Sequence, residues 1–128
     1  MNAQRLVIVL WSCGPERDNG AQLAAAPFVY ALAARALDVD VEMHFTGTAV
    51  RWLVRGVADS AHTDAARTKT VGDFLAEAHA AGVRMYACAM ARAEHARDAA
   101  LIDACDGIAG AATVIGATLE PHTRAMIF

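Results

Sequence analysis

The apolar run at residues 6–11, Leu-Val-Ile-Val-Leu-Trp, constrains the fold more than any other stretch of the chain. It contains no charged residue, and its β-branched side chains are typical of a strand that is buried on both faces. Ser12, Gly14 and Pro15 end the run, and an alanine-rich helical pattern follows over residues 20–37. A strand of this kind needs helices on both sides of the sheet, so the sequence predicts an α/β fold.

The remaining segments continue the alternation of strands and helices. Pro27 lies within the first helical pattern, which therefore either bends there or begins there. The second strand, at 39–45, alternates apolar and polar residues, which predicts one wetter face and a place near the edge of the sheet. The further predicted elements are a strand at 39–45, a helix near 50–57, a loop at 58–69, a helix at 70–81, a strand at 83–88, a helix at 96–105, a short strand at 107–110, a helix at 111–119 and a strand at 124–128. This order predicts one three-layer α/β domain over residues 1–128, with a mostly parallel sheet flanked by helices.

The composition excludes several classes of function. The 128 residues carry a formal net charge of −3 and a single lysine, Lys69, so the chain lacks the basic surface that nucleic-acid binding requires. No apolar run approaches the ~20 residues of a membrane span. The run at 6–11 is too short for the apolar part of a signal peptide, so we expect a cytoplasmic protein with reduced cysteines. Hydrophobic residues make up 56% of the chain, which leaves apolar surface for contacts between subunits.

Two cysteines follow predicted strands and are the candidate site residues. Cys88 ends the run that begins after Gly82, and Cys13 follows the first strand. The carboxyl ends of parallel strands share one end of the sheet, where α/β folds bind their ligands. In the doubly wound strand order 2-1-3 these two strands would be neighbours, so we expect both thiols to border one pocket. Each thiol also has a simpler explanation, in which Cys88 is a small buried side chain and Cys13 an inert loop residue.

Arginines suggest two further hypotheses. A reactive cysteine needs a lowered thiol pKa, and Arg92, about one helical turn after Cys88, could help to lower it. Arg17, Arg51 and Arg55 could line a cleft for a small anion, although arginines of this kind are more often solvated or ion-paired.

The sequence indicates neither a metal nor a cofactor. It contains no Cys-x-x-Cys and no His-Glu-x-x-His, and it lacks the glycine patterns of nucleotide-binding loops. A metal site built from Cys13, His44, Cys88 and His122 would depend entirely on the fold. His44 is more simply explained as the residue on the wetter face of its strand. Cys105 lies in a helical pattern and is expected to pack in the core.

Five short motifs follow one another along the chain. They are Ser12-x-Gly14-Pro15, Ala26-Pro27-Phe28, Val41-x-x-x-Phe45-Thr46, the block Ala81-Gly82-Val83-Arg84-Met85-Tyr86-Ala87-Cys88, and Gly110-Ala111-Ala112-Thr113. In their order and spacing the chain resembles the DsrE/DsrF-like family, which includes the small sulfur-relay proteins of the Tus type. The resemblance covers nearly the whole chain. It implies a five-stranded, largely parallel sheet and assembly into homotrimers or homohexamers.

The resemblance also implies a function for Cys88. In the sulfur-relay members a cysteine after the third strand carries sulfur as a persulfide, and Cys88 falls on that position, whereas Cys13 matches no residue of the relay pattern. The chain would then be a sulfurtransferase or a carrier without turnover, and its partner would be a protein that donates or accepts sulfur. Two alternatives stay open. One is an oligomeric protein that binds a small ligand without covalent chemistry, and the other is a peroxiredoxin-like thiol reductase with Cys13 as the resolving residue.

Overall fold

The computed structural model describes residues 4–128, so residues 1–3 of the expected domain lie outside the described part. Within it, the strands are β1 at Arg5–Leu10, β2 at Asp40–Phe45, β3 at Arg84–Cys88, β4 at Gly107–Ala109 and β5 at Thr123–Ile127. The helices are α1 at Gly20–Ala36, a 3-10 helix at Gly47–Leu53, α2 at Val71–Ala80, α3 at Ala89–Ala91 followed by a π-helical turn at Arg92–Ala96, and α4 at Ala111–Thr118. The predicted α/β fold is confirmed.

The five described strands form one sheet in the order β4-β3-β2-β1-β5, and every neighbouring pair is parallel. This order corrects two predictions. β2 lies at the centre of the sheet and not near an edge. It also separates β1 from β3, so the strands that precede Cys13 and end at Cys88 are not neighbours. The chain adds β2, β3 and β4 in one direction from β1 and reverses only for β5.

The reversal decides which helices cover which face of the sheet. Right-handed crossovers that run from β1 towards β4 place their helices on one face, here called the first face. The connection from β4 back to β5 runs in the opposite direction and places α4 on the other, second face, where it contacts β1 and β5. The sheet therefore lies between two helical layers of unequal size. Over residues 4–128, no helix has the length and apolar character that a membrane span requires.

The first face holds most of the core. Phe28 of α1 packs between the rings of Phe45 and Phe74, with centroid separations of 6.1 and 5.8 Å, and all three rings are buried. Pro27 lies inside α1 and is also buried, so the helix does not begin there. Burial of large aromatic side chains supplies much of the stabilisation of such a core.

Local signals place α2 as predicted. The Thr70 hydroxyl accepts a hydrogen bond from the Asp73 N–H at 3.1 Å, and the Asp73 carboxylate accepts one from the Thr70 N–H at 2.9 Å. This reciprocal capping box satisfies backbone donors that a helix start leaves open. Gly82, with φ of +85°, follows the helix in a conformation that favours glycine. The helix predicted near 50–57 is found slightly earlier, as the 3-10 helix.

The helix predicted at 96–105 is wrong. The chain instead becomes helical directly after β3, and the π-helical turn ends at Arg97, whose φ is +47°. The following segment pairs with the end of the 3-10 helix, where the Ile102 N–H donates to the Leu53 carbonyl at 2.8 Å. The apolar side chains near Ile102 thus reach the core from an extended segment, which their spacing alone does not distinguish from a helix.

Candidate functional site

The second face carries a row of polar side chains on the neighbouring strands β2 and β3. The parallel register pairs Glu42 with Arg84 and His44 with Tyr86, and its continuation sets Thr46 opposite Cys88. Because side chains alternate between the faces of a sheet, these residues all point to the side covered by α4. The row leads along both strands to the thiol at their carboxyl ends.

Cys88 ends β3 and is partly buried. Burial raises the pKa of its thiol, but hydrogen bonds from the Thr46 hydroxyl and from the backbone N–H groups of Ala91 and Met90 outweigh this effect and lower the pKa. Hydrogen bonds lower a thiol pKa when they favour the thiolate, which is the nucleophilic form. Arg92, which the sequence suggested as a helper, donates to the Arg97 carbonyl at 2.8 Å instead.

Two cavities meet at Cys88. The first, here called the inner cavity, has a volume of about 170 Å³ and is lined mainly by Val9, His44, Thr46, Cys88, Val114 and Ile115. The second, here called the outer cavity, has a volume of about 340 Å³, and its lining includes Trp11, Thr46, Cys88, Met90, Glu94 and His95. Cys88 and Thr46 line both cavities, so a molecule in either cavity can reach the thiol.

Glu42 anchors the opposite end of the polar row. Its carboxylate accepts from Arg5 Nη2 at 2.6 Å and lies 3.3 Å from Arg84 Nη2 and 3.0 Å from His44 Nε2. Burial raises the pKa of Glu42, but the hydrogen bonds and charges of Arg5 and His44 together lower it. The ring of Tyr86 stacks on the imidazole, with centroids 5.2 Å apart and planes 19° apart.

The prediction that His44 occupies a wet face is wrong, because its side chain is only 3% exposed. The alternation in β2 was identified correctly, but its polar face is enclosed by neighbouring strands and α4. The missed signal is the pair Glu42 and His44 on one face of a strand, with basic residues on both neighbouring strands. A buried carboxylate of this kind needs such partners.

Cys13 lies apart from this site. Its side chain is 2% exposed and belongs to the core of the first face, and Trp52 Nε1 donates to its carbonyl at 2.7 Å. Burial raises the pKa of Cys13 to about 11. Cys13 is not among the described residues that line the inner or the outer cavity. The expected pocket shared by both thiols depended on the strand order 2-1-3, which the sheet does not have.

Two other candidate residues, Cys105 and Arg55, have structural contacts. Cys105 lies in a turn before β4 and not in a helix, and its thiol lies 3.4 Å from the Gly107 carbonyl. Arg55 forms an ion pair with Asp103 at 2.6 Å. Among the described residues, no group of three or more histidine, cysteine or acidic side chains is arranged to hold a metal ion.

Comparisons with known proteins agree with this architecture. The crystal structure of the YchN protein from E. coli superposes with a TM-score of 0.74 and 15% sequence identity, over 99% of this chain and 100% of that one. A search of curated proteins found no match. The sequence model of the DsrE/DsrF-like family matches residues 9–123, which include β2, β3 and Cys88. The chain therefore belongs to the DsrE/DsrF-like family.

Proposed function

We propose that this protein handles sulfur through Cys88, which accepts a sulfur atom as a persulfide and passes it to a partner thiol. The observation that carries the proposal is the position of Cys88 between two cavities, with hydrogen bonds that favour its thiolate. The family is associated with sulfur relay in general, which supports the same chemistry. The proposal places the protein in the cytoplasm, where thiols are kept reduced.

The proposed step is a thiol exchange at the terminal sulfur of a hydropersulfide. The Cys88 thiolate attacks the outer sulfur of R–S–SH, a new S–S bond forms on Cys88, and the S–S bond of the donor breaks. The leaving R–S⁻ takes up the proton that Cys88 lost, so the products are Cys88–S–SH and R–SH. Cys88 is oxidised to the persulfide level while the donor sulfur is reduced to a thiol. The same step in the opposite direction passes sulfur to a partner.

Intact-protein mass spectrometry tests this proposal. After incubation with cysteine hydropersulfide, the wild type and the Cys105→Ser variant should gain the mass of one sulfur atom, and cyanide should remove it. Cys88→Ser should gain none. An adduct of equal yield in Cys88→Ser would contradict the proposal. Cys13→Ser tests the second sequence-based candidate, because loss of loading in that variant would require a role for a thiol that is buried in this structure.

A non-covalent binding protein is the second candidate function. The apolar side chains of Val9, Val114 and Ile115 in the inner cavity favour it. Binding of a small apolar ligand with no sulfur adduct on Cys88 would support this alternative. The thiol reductase is less favoured, because its resolving residue would be Cys13, which is buried and separated from β3 by β2.

We also propose that the protein assembles into a homotrimer or homohexamer and exchanges sulfur with another protein. Large apolar side chains on the thinly covered second face support the assembly. They include Ile115 and Ile127, which are 58% and 74% exposed. Light scattering at micromolar concentration would contradict this part of the proposal if it found a monomer.

A further inference from the structure

The imidazole of His44 has one nitrogen with a hydrogen-bond partner and one without. Nε2 lies 3.0 Å from the Glu42 carboxylate, whereas Nδ1 is buried and has no hydrogen-bond partner among the described residues. The side chain as a whole is more than nine-tenths buried. Buried polar atoms are normally hydrogen-bonded, so an exception of this kind calls for a ligand or a chemical role.

The charge of Glu42 determines which nitrogen carries the hydrogen. Arg5 and Arg84 lie within ion-pair distance of the carboxylate and favour its ionised form. An ionised carboxylate only accepts hydrogen bonds, so the Nε2 atom of His44 must be the donor. In the neutral ring Nδ1 is then an acceptor. Its lone pair lies on the edge of the ring that is not engaged with Glu42.

His44 lines the same cavity as Cys88. Along β2, Glu42 precedes His44 and Thr46 follows it, and the inner cavity is lined by His44, Thr46 and Cys88 together. The cavity volume of about 170 Å³ is similar to that of an engineered apolar cavity of about 150 Å³ that binds benzene. The inner cavity thus has room beside the thiol for a molecule of only a few heavy atoms.

We propose that Cys88, His44 and Glu42 form a thiol–imidazole–carboxylate relay, and that the inner cavity binds small, uncharged disulfides or hydropersulfides. His44 takes the Cys88 proton at Nδ1 and returns it to the thiolate that leaves the reagent. Glu42 is a positioning residue, because it holds the ring tautomer and stabilises the imidazolium. A nucleophile, a base and a group that orients the base are the parts of an activated nucleophile in many enzymes. The relay rests on the proposed function only in that Cys88 reacts with sulfur compounds.

Dimethyl disulfide provides a balanced test reaction of suitable size. The Cys88 thiolate attacks one sulfur, a Cys88–S–S–CH₃ bond forms, and the original S–S bond breaks. The departing CH₃S⁻ takes the proton held by His44 and leaves as methanethiol. Methyl methanethiosulfonate delivers the same CH₃S group, but its leaving group is methanesulfinate, a weak base that departs without a proton. The two reagents therefore differ chiefly in their need for a proton donor.

The experiment compares the rates of Cys88 methylthiolation by the two reagents at neutral pH. Both reagents react with the Cys88 thiolate, so the fraction of Cys88 that is thiolate cancels in the ratio of the two rate constants. In His44→Phe, which keeps a ring against Tyr86, the ratio of the disulfide rate to the thiosulfonate rate should fall about a hundredfold, because general acid catalysis typically contributes about 10²–10⁴-fold. Glu42→Gln should lower the same ratio by a smaller factor. His79→Phe, an exposed histidine of α2, serves as the matched control and should keep the wild-type ratio.

Several outcomes would overturn the relay. An unchanged ratio in His44→Phe, with both rates equal to the wild type or both reduced alike, would leave His44 with at most a structural role. If His44→Phe does not fold, ¹⁵N NMR of the wild-type imidazole gives an independent answer, because a hydrogen on Nδ1 instead of Nε2 would contradict the proposal. The proposed function is tested separately. If Cys88 forms no persulfide but the ratio of the two rate constants changes in His44→Phe, the proposed sulfur transfer is wrong. The thiol–imidazole–carboxylate relay then still stands.

Discussion

Thr46 lies opposite Cys88 at the carboxyl ends of two neighbouring strands, and its hydroxyl, acting as a hydrogen-bond donor, lowers the pKa of the Cys88 thiol. The contact arises from the parallel register, which sets the residue after β2 opposite the last residue of β3. It joins the side chain of Cys88 to the neighbouring strand of the sheet. This contact orients the Cys88 thiol, which lines both cavities.

The first prediction removes this hydrogen bond. Thr46→Val keeps the shape of the side chain but loses the donor, so the pKa of Cys88 should rise and less thiolate should be present at neutral pH. Alkylation of Cys88 by iodoacetamide should slow by about tenfold, since a hydrogen bond to a charged group contributes about 1.5–3 kcal/mol. Thr118→Val is the control, because the Thr118 hydroxyl donates to the Ile115 carbonyl at 2.7 Å within its own helix. Equal rates in the wild type and Thr46→Val would contradict the assignment.

The second prediction concerns the order in which the thiols react. Cys88 is partly exposed and has a lowered pKa, whereas Cys13 is buried and has a pKa of about 11. Iodoacetamide at neutral pH should therefore label Cys88 first and Cys13 only after unfolding, by a rate difference of roughly 10²-fold or more. Peptide mapping of a labelling time course measures this order. Labelling of native Cys13 at the rate of Cys88 would contradict the described burial.

The third prediction concerns acid stability. The pKa of Glu42 is lower in the folded protein than the ordinary value of 4.5, so between the two values the unfolded chain binds more protons. Stability should consequently rise with pH in that window, and the contribution of Glu42 should be present above about pH 4.5 and lost as the pH falls through its folded pKa. Urea unfolding at several pH values measures this slope. Glu42→Gln should flatten it, and a slope unchanged from the wild type would refute the role of Glu42.

Glu77→Gln is the matched control for that experiment. Glu77 pairs with Lys69 at 2.7 Å on the surface, where an ion pair contributes about 0–1 kcal/mol. This variant retains Glu42 and should retain its contribution to the pH slope. It removes one carboxylate in the same way, so it separates the effect of the buried network from a general change in charge.

The fourth prediction concerns the start of α2. Thr70→Ala removes the side-chain oxygen that accepts from the Asp73 N–H, which should lower the free energy of unfolding by about 1 kcal/mol. Thr70→Ser keeps the acceptor and should remain close to the wild type. Chemical denaturation measures both variants. A loss of equal size in Thr70→Ser would mean that the methyl group, and not the cap, supports the helix.

The fifth prediction tests the apolar surface of the second face. Ile127→Lys places a charge at an edge-strand position that is 74% exposed, so it should dissociate the assembly if that surface lies between subunits. Leu37→Lys changes a residue that is 78% exposed at the end of α1 and should leave the assembly intact. Analytical ultracentrifugation measures both variants. Assembly of Ile127→Lys as in the wild type would exclude this surface as the interface.

Features that depend on neighbours in the chain followed from the sequence alone. The buried first strand, the cap formed by Thr70 and Asp73, the stop at Gly82 and the position of Cys88 at the end of a strand were all predicted and are present. Each depends only on local geometry. The alternation of side chains in a strand, the apolar spacing of a helix and the positive φ of a glycine each involve only a few adjacent residues. The helix predicted at 96–105 failed because apolar spacing over so short a segment fits an extended, paired segment equally well.

The sheet order and the surroundings of each side chain were decided only by the tertiary structure. Nothing local in the sequence indicates that β2 lies between β1 and β3, and this order alone separates Cys13 from Cys88. The alternation of β2 identified which residues share a face but not what covers that face. The return crossover to β5 places α4 over it, and the neighbouring arginines then make a buried carboxylate and imidazole stable there. Local patterns could therefore locate the thiol, whereas contacts between distant residues determine its chemical environment.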